Sequence, residues 1–360
     1  MMFPLVAFWL GCQERSPEES GYTETLIENA ECENTFSPHT LAYEAITEYG
    51  VDVPKREDAI PLLLSETGLY EDIVNKEIHP AVRAFKPQYE LWSDDADKQR
   101  WVYVPECEKI DTSNINDWQF PVGTRFFKEF SVNGRRIETR LIERIGEGPR
   151  DFAQASYMWN EDETEAERVG EEGVANAKGT NHDIPSKSQC LQCHGTYSQG
   201  GGRPSRGLGF SAMQLSHSDE GWTLDQLIEE DRLSHPPASS FEIPGDETTK
   251  AALGYLHANC GSCHNPSKDG LPQFDLNLWL DVGLSSPEES GAWQTAVDTD
   301  TQIFKDQHVD GRIIPGDPAR SALLYRMLQR GNRAQMPPVA SKIIDENGAA
   351  ILSEWIESLP

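Results

Sequence analysis

The sequence predicts an α+β protein: a β-rich, sandwich-like N-terminal domain followed by a mostly α-helical C-terminal region. Three observations predict it. Aromatic runs between residues 88 and 159 alternate with the two-residue period of half-buried strands. Ile351, Leu352, Trp355, Ile356 and Leu359 form the apolar stripe of a closing helix. Between these regions the pattern Cys-x-x-Cys-His occurs twice, as Cys190-Leu191-Gln192-Cys193-His194 and Cys260-Gly261-Ser262-Cys263-His264.

Taken in order, residues 1–12 are apolar, end in Leu10-Gly11-Cys12, and are too short to span a bilayer. They read as a lipoprotein-type signal with Cys12 as the lipidated residue. Residues 13–35 read as a flexible tether. The N-terminal domain, 36–185, starts with helical pieces at 38–49 and 59–64, punctuated by Pro54, Pro61 and Pro80. Strands are expected at 100–104, 125–132, 136–142 and 156–159. Asn133-Gly134 between the second and third is a hairpin signal. The acidic stretch 160–173 is a solvated excursion, and Asp94, Asp95 and Asp97 read as a turn.

Residues 186–245 carry the first motif in a Gly- and Ser-rich setting without a leading amphipathic helix. The last region, 246–360, holds a helix at 248–260 that enters the second motif. Asp317-Pro318 starts a helix at 318–330, Gln335-Met336-Pro337-Pro338 is a loop, and Asp345 caps the closing helix.

The spacing of the motifs carries the chemistry. Two thiols at Cys-x-x-Cys attach one c-type haem, and the adjacent His reaches its iron. The cysteines are then Cys190 and Cys193 for the first haem, Cys260 and Cys263 for the second, with His194 and His264 as the proximal ligands. A zinc site built from both pairs is the alternative, but it does not require a His after each pair. Met336, on a Pro-held loop, is the expected sixth ligand of the second haem. For the first haem Met213 is the nearest downstream thioether, with Met158, His182, His217 and His235 as alternatives, or an open site. Of seven cysteines, Cys32 and Cys107 remain, and one disulfide between them fits an oxidising compartment.

A net charge of −29, from 60 acids against 31 bases, argues against nucleic acid and anionic membrane surfaces as partners. The expectation is an exported protein, periplasmic or elsewhere in the cell envelope and lipid-anchored to the membrane, that relays electrons between redox partner proteins. No catalytic set is evident. An open site on the first haem would instead make a peroxidase- or oxidase-like enzyme.

Helix with Cys-x-x-Cys-His, loop with Met-Pro-Pro, then a closing helix is an order that resembles the cytochrome c domain over residues 248–360. A wider resemblance rests on Leu64-Ser65-Glu66-Thr67-Gly68-Leu69, Tyr89-Glu90-Leu91-Trp92-Ser93-Asp94 and Phe120-Pro121-Val122-Gly123-Thr124. These stretches resemble a family of exported bacterial dihaem c-type cytochromes with a β-rich N-terminal part. The resemblance implies two covalent haems and electron transfer, and it supplies no substrate.

Overall fold

The alternating runs fold into one antiparallel sheet. A computed structural model describes residues 60–148, 151–194, 207–266 and 275–360. The expected signal and tether, Cys12, Cys32 and the helical piece at 38–49 lie outside the described residues.

A two-stranded ribbon, β1 (Tyr70–Asp72) and β2 (Glu77–Ile78), precedes six strands paired in sequential order. These are β3 (Arg83–Ala84), β4 (Asp97–Tyr103), β5 (Arg125–Val132), β6 (Arg135–Arg144), β7 (Phe152–Trp159) and β8 (Ala166–Arg168). Asn133 and Gly134 close the β5–β6 hairpin with φ of 52° and 75°. Positive φ at both positions is what a two-residue turn matched to strand twist demands, and Asn-Gly supplies it at least cost.

Strand alternation sends residues to two faces. On one, Trp101, Tyr103, Phe127, Leu141, Tyr157 and Trp159 pack under Leu64, Leu69, Tyr70 and Val82. On the other, Val102 and Phe126 pack with Phe120, Phe210, Leu215, Trp222 and Leu224. Phe210 sits at the centre of this second layer, 4.9 Å from Phe85 and 5.8 Å from Phe126, both edge-on.

Six α-helices occur among the described residues: α1 (Lys187–His194), α2 (Leu224–Glu229), α3 (Glu247–Asn259), α4 (Gly291–Ala296), α5 (Ala322–Met327) and α6 (Glu346–Ser358). Leu253 and Leu256 of α3 pack with Leu352, Trp355 and Ile356 of α6 in a third cluster. The two helices approach closely at Gly348, where a Cβ would stand 2.3 Å from the Tyr255 ring.

The fold class therefore differs from expectation in both halves. The sheet is not half of a sandwich. Its faces are covered by the irregular segment at 60–82 and by the segments around Phe210 and α2. The C-terminal region is not mostly α-helical, since α4 and α5 have only six residues each and turns join the helices. The helix expected at 318–330 shows why. It begins as a single 3-10 turn at Pro318–Arg320 and breaks at Ser321, whose φ and ψ are −85° and 117°. Ser321 Oγ donates to Asp317 O and accepts from Ile314 N at 2.9 and 2.8 Å. Such side-chain bonding competes with helix continuation. The first amides of α5 are then taken by Gly311 O and Arg312 O. No helix among the described residues is long and apolar enough to cross a membrane.

Candidate haem-attachment site

The second motif grows directly out of α3. Asp246 caps this helix, its carboxylate accepting from Thr249 N at 2.8 Å. The chain continues as a tight turn in which Cys263 N and His264 N both donate to Cys260 O. Gly261 is required here, because a Cβ would lie 2.7 Å from His257 O. Burial pushes the His264 imidazole down to about 4, and the nearby charges of Arg326 and Arg312 push the same way. The ring is therefore neutral at physiological pH, the form that binds a metal. Burial also pushes the Cys260 thiol up to about 12.

The first motif is itself helical, as α1, which differs from the loop expected. Its start is held by Ser186 O, which accepts from Cys190 N at 3.0 Å. None of its residues is fully buried, so it has no apolar face of its own, which is why helical periodicity did not reveal it. Arg140 and Glu138 of β6 lie close enough to act on the Cys190 thiol, and Arg140 acts on Cys193 as well. Glu138 is fully buried and accepts from Arg140 through both oxygens at 2.7 and 2.9 Å. His182 Nε2 stands 2.8 Å from the same carboxylate.

The two motifs meet. Cys193 and Cys263 lie close enough for each thiol to act on the other, and Cys263 Sγ donates to Gln192 O at 3.7 Å. Sharing one proton makes the first deprotonation of the pair easier and the second harder. All four motif cysteines are free thiols. Among the described residues no group of three or more His, Cys, Asp or Glu side chains is placed to hold a metal ion, so the thiols are not gathered as a four-thiolate zinc site. Cys107 is disulfide-bonded; its expected partner, Cys32, lies outside the described residues.

Met336 lies half-buried in the turn after α5, and its N donates to Arg326 O at 3.0 Å. Arg326 also acts on His264, so one residue of α5 adjoins both expected ligands of the second haem. Its Nε donates to Ala334 O at 2.9 Å, which fixes the start of the Met336 turn. Met213 is buried in the cluster that contains Leu253 and Leu256 of α3, as is Met327. Of the alternatives for the first haem, His182 is engaged by Glu138 and Met158 packs beside Ile137 and Ile184. His217 Nε2 is 2.6 Å from Lys86 O, and His235 Nδ1 is 2.9 Å from Ser234 Oγ.

Sequence reasoning missed two groups. One is the set of charged residues on the sheet, Lys128, Glu138 and Arg140, the last two of which act on the first motif. Their signal was a phase error, because they fall on the same strand face as Val102, Phe126 and Phe130. The other is Asp94, read only as a turn residue. It does turn the chain, with φ of 51°. Its carboxylate also accepts from Lys342 N at 2.8 Å and Ile343 N at 3.0 Å.

Comparison with protein-family models, with curated proteins and with solved structures finds no match for this chain.

Proposed function

We propose that the chain is a dihaem c-type cytochrome that carries electrons between redox partners in the cell envelope. The observation that carries this reading is the meeting of the two Cys-x-x-Cys-His motifs, with four free thiols and Cys193 against Cys263. A disulfide at Cys107 fits an oxidising compartment. Two thiols in contact would be expected to oxidise to each other there unless each is committed elsewhere, and thioether bonds to two porphyrins commit all four.

The residues fit the group. Cys190 with Cys193, and Cys260 with Cys263, each present a thiol pair followed by a His. His194 and His264 would hold the two irons, and the neutral state of His264 suits that role. Met336, held by its own turn and by Arg326, would supply a thioether to the second haem. Bound haem supplies one-electron chemistry, and everything else this chain does is to position, shield and tune it.

One observation favours a second reading at the first haem. Met213 is buried against α3, and His182 is bonded to Glu138. An iron on His194 with no sixth protein ligand would make the protein a haem enzyme of peroxidase or oxidase type. Carbon monoxide binding by the reduced holoprotein separates the two readings, because a relay with six-coordinate irons binds it poorly.

The test of the main reading uses full-length protein matured in a host with haem-attachment machinery. Intact mass with a pyridine haemochrome assay is expected to give two covalent haems per chain. A mass equal to the polypeptide plus zinc overturns the proposal.

A further inference from the structure

The two motifs present one thiol each to the other, on fixed backbones. Cys193 stands in the last turn of α1, whose start is held where Lys187 N donates to Glu171 O at 2.8 Å and Cys190 N to Ser186 O at 3.0 Å. Cys263 stands in the turn after α3. There the buried Asn265 donates through Nδ2 to Gly261 O at 2.9 Å and Ser262 O at 3.0 Å, and Leu278 N donates to His264 O at 2.8 Å. Cys263 Sγ reaches across to Gln192 O at 3.7 Å, the carbonyl that precedes Cys193. The thiols of Cys263 and Cys193 act on each other as direct neighbours, whereas neither Cys190 nor Cys260 has a thiol neighbour at that range.

Sequence alone points to the opposite pairing. Cys190 with Cys193, and Cys260 with Cys263, would each close a loop of a few residues, which costs the least loop entropy. A bond between Cys193 and Cys263 spans 70 positions. Only the fold makes that pair near.

We propose that, before haem is attached, Cys193 and Cys263 are joined by a disulfide between the motifs, while Cys190 and Cys260 stay as thiols. All four are partly exposed, so an oxidant can reach them. The disulfide at Cys107 marks the chain as one that meets such an oxidant. The oxidant is a protein disulfide, and the reaction is thiol–disulfide exchange. One of the two thiols attacks it to give a mixed disulfide, and the other then displaces it. One S–S bond forms here and one breaks in the oxidant, which leaves as a dithiol with the two electrons and two protons. A sulfur held in this bond cannot add to a porphyrin vinyl group. One thioether at each haem is therefore blocked until a dithiol reduces the bond, and a single reduction frees both motifs together. The bond itself needs no haem, but this order of events rests on the haem reading above.

The experiment maps the thiols of full-length protein exported without haem-attachment machinery and blocked with a maleimide before digestion. A cross-linked peptide holding Cys193 and Cys263 should dominate, with Cys190 and Cys260 blocked. Cys190→Ser/Cys260→Ser should still form the bond, whereas Cys193→Ser/Cys263→Ser should leave both remaining motif thiols open to the maleimide. Where the exported chain does not accumulate, the same map is read on full-length protein purified from a reducing cytoplasm and oxidised with glutathione disulfide. Pairing within the motifs, any other pair between them, or four blocked thiols overturns the proposal. So does a Cys193–Cys263 link that survives in holoprotein carrying both haems. Matured protein without covalent haem defeats the haem reading instead and leaves the bond standing, and intact mass tells the two apart.

Discussion

Glu138 shows what one buried residue settles. Its carboxyl has no exposure to solvent, and burial alone would push it up. Arg140 and His182 outweigh burial and hold it at about 2, against an ordinary value of 4.5. Between those values the unfolded chain binds a proton that the folded chain refuses. The contribution to stability is therefore complete above about pH 4.5 and is lost as pH falls towards 2. Glu138→Gln should destabilise the fold by about 3 kcal/mol, because it strands a buried guanidinium. It should also flatten the acid limb. Urea unfolding from pH 2 to 6 measures both, and an unchanged slope in the variant would show that Glu138 does not titrate in this way. Only part of this was legible in the sequence. Alternation gave the strand that carries Glu138 and Arg140, but nothing local says that a charged pair is buried there or that His182, from another segment, supplies the second partner.

Among the elements, the segment from Tyr89 to Asp94 acts as a clamp. Trp92 N donates to Asn259 Oδ1 at 2.7 Å, and Asn259 Nδ2 returns to Glu90 O at 3.2 Å, which fixes the end of α3 one residue before Cys260. Trp92 Nε1 reaches Ile343 O at 3.1 Å, and Asp94 takes the amides of Lys342 and Ile343. Gln335 Nε2 bridges Pro337 O and Ser341 O, so the Met336 turn is tied to the same clamp. Asp94→Ala leaves two amides without their acceptor and should cost about 2 kcal/mol. Hydrogen exchange at Lys342 and Ile343 should accelerate, and the reduced holoprotein should bind more carbon monoxide as Met336 loosens. Native exchange at both amides would remove Asp94 from this role. Strands were legible because four runs alternate and Asn-Gly fixes one turn. Of the C-terminal helices, the one entering the second motif and the closing one were legible from their caps and apolar stripes, whereas the helix expected at 318–330 was not, because Ser321 breaks it. The clamp was invisible because its bonds join residues 167 to 251 positions apart.

At the scale of the molecule, the two motifs lie 70 residues apart in sequence and share a thiol contact in space. The first motif, as α1, and the second, at the end of the helix packed on α6, come to one place, with Arg140 of the sheet beside the first. Pentapeptide spacing singled out the motif residues, whereas their meeting depends on contacts between segments far apart in sequence, which no local pattern shows. Haems bonded to Cys193 and Cys263 must be near neighbours, so their strong porphyrin transitions should couple. Circular dichroism of the full-length holoprotein in the porphyrin absorption band should show a bisignate couplet. Cys190→Ala/Cys193→Ala and Cys260→Ala/Cys263→Ala should each give a single weak band. If the two variant spectra simply add up to that of the intact protein, the haems are not neighbours. Electrons would then have no short route through the chain, and the relay would reduce to two independent carriers on one polypeptide.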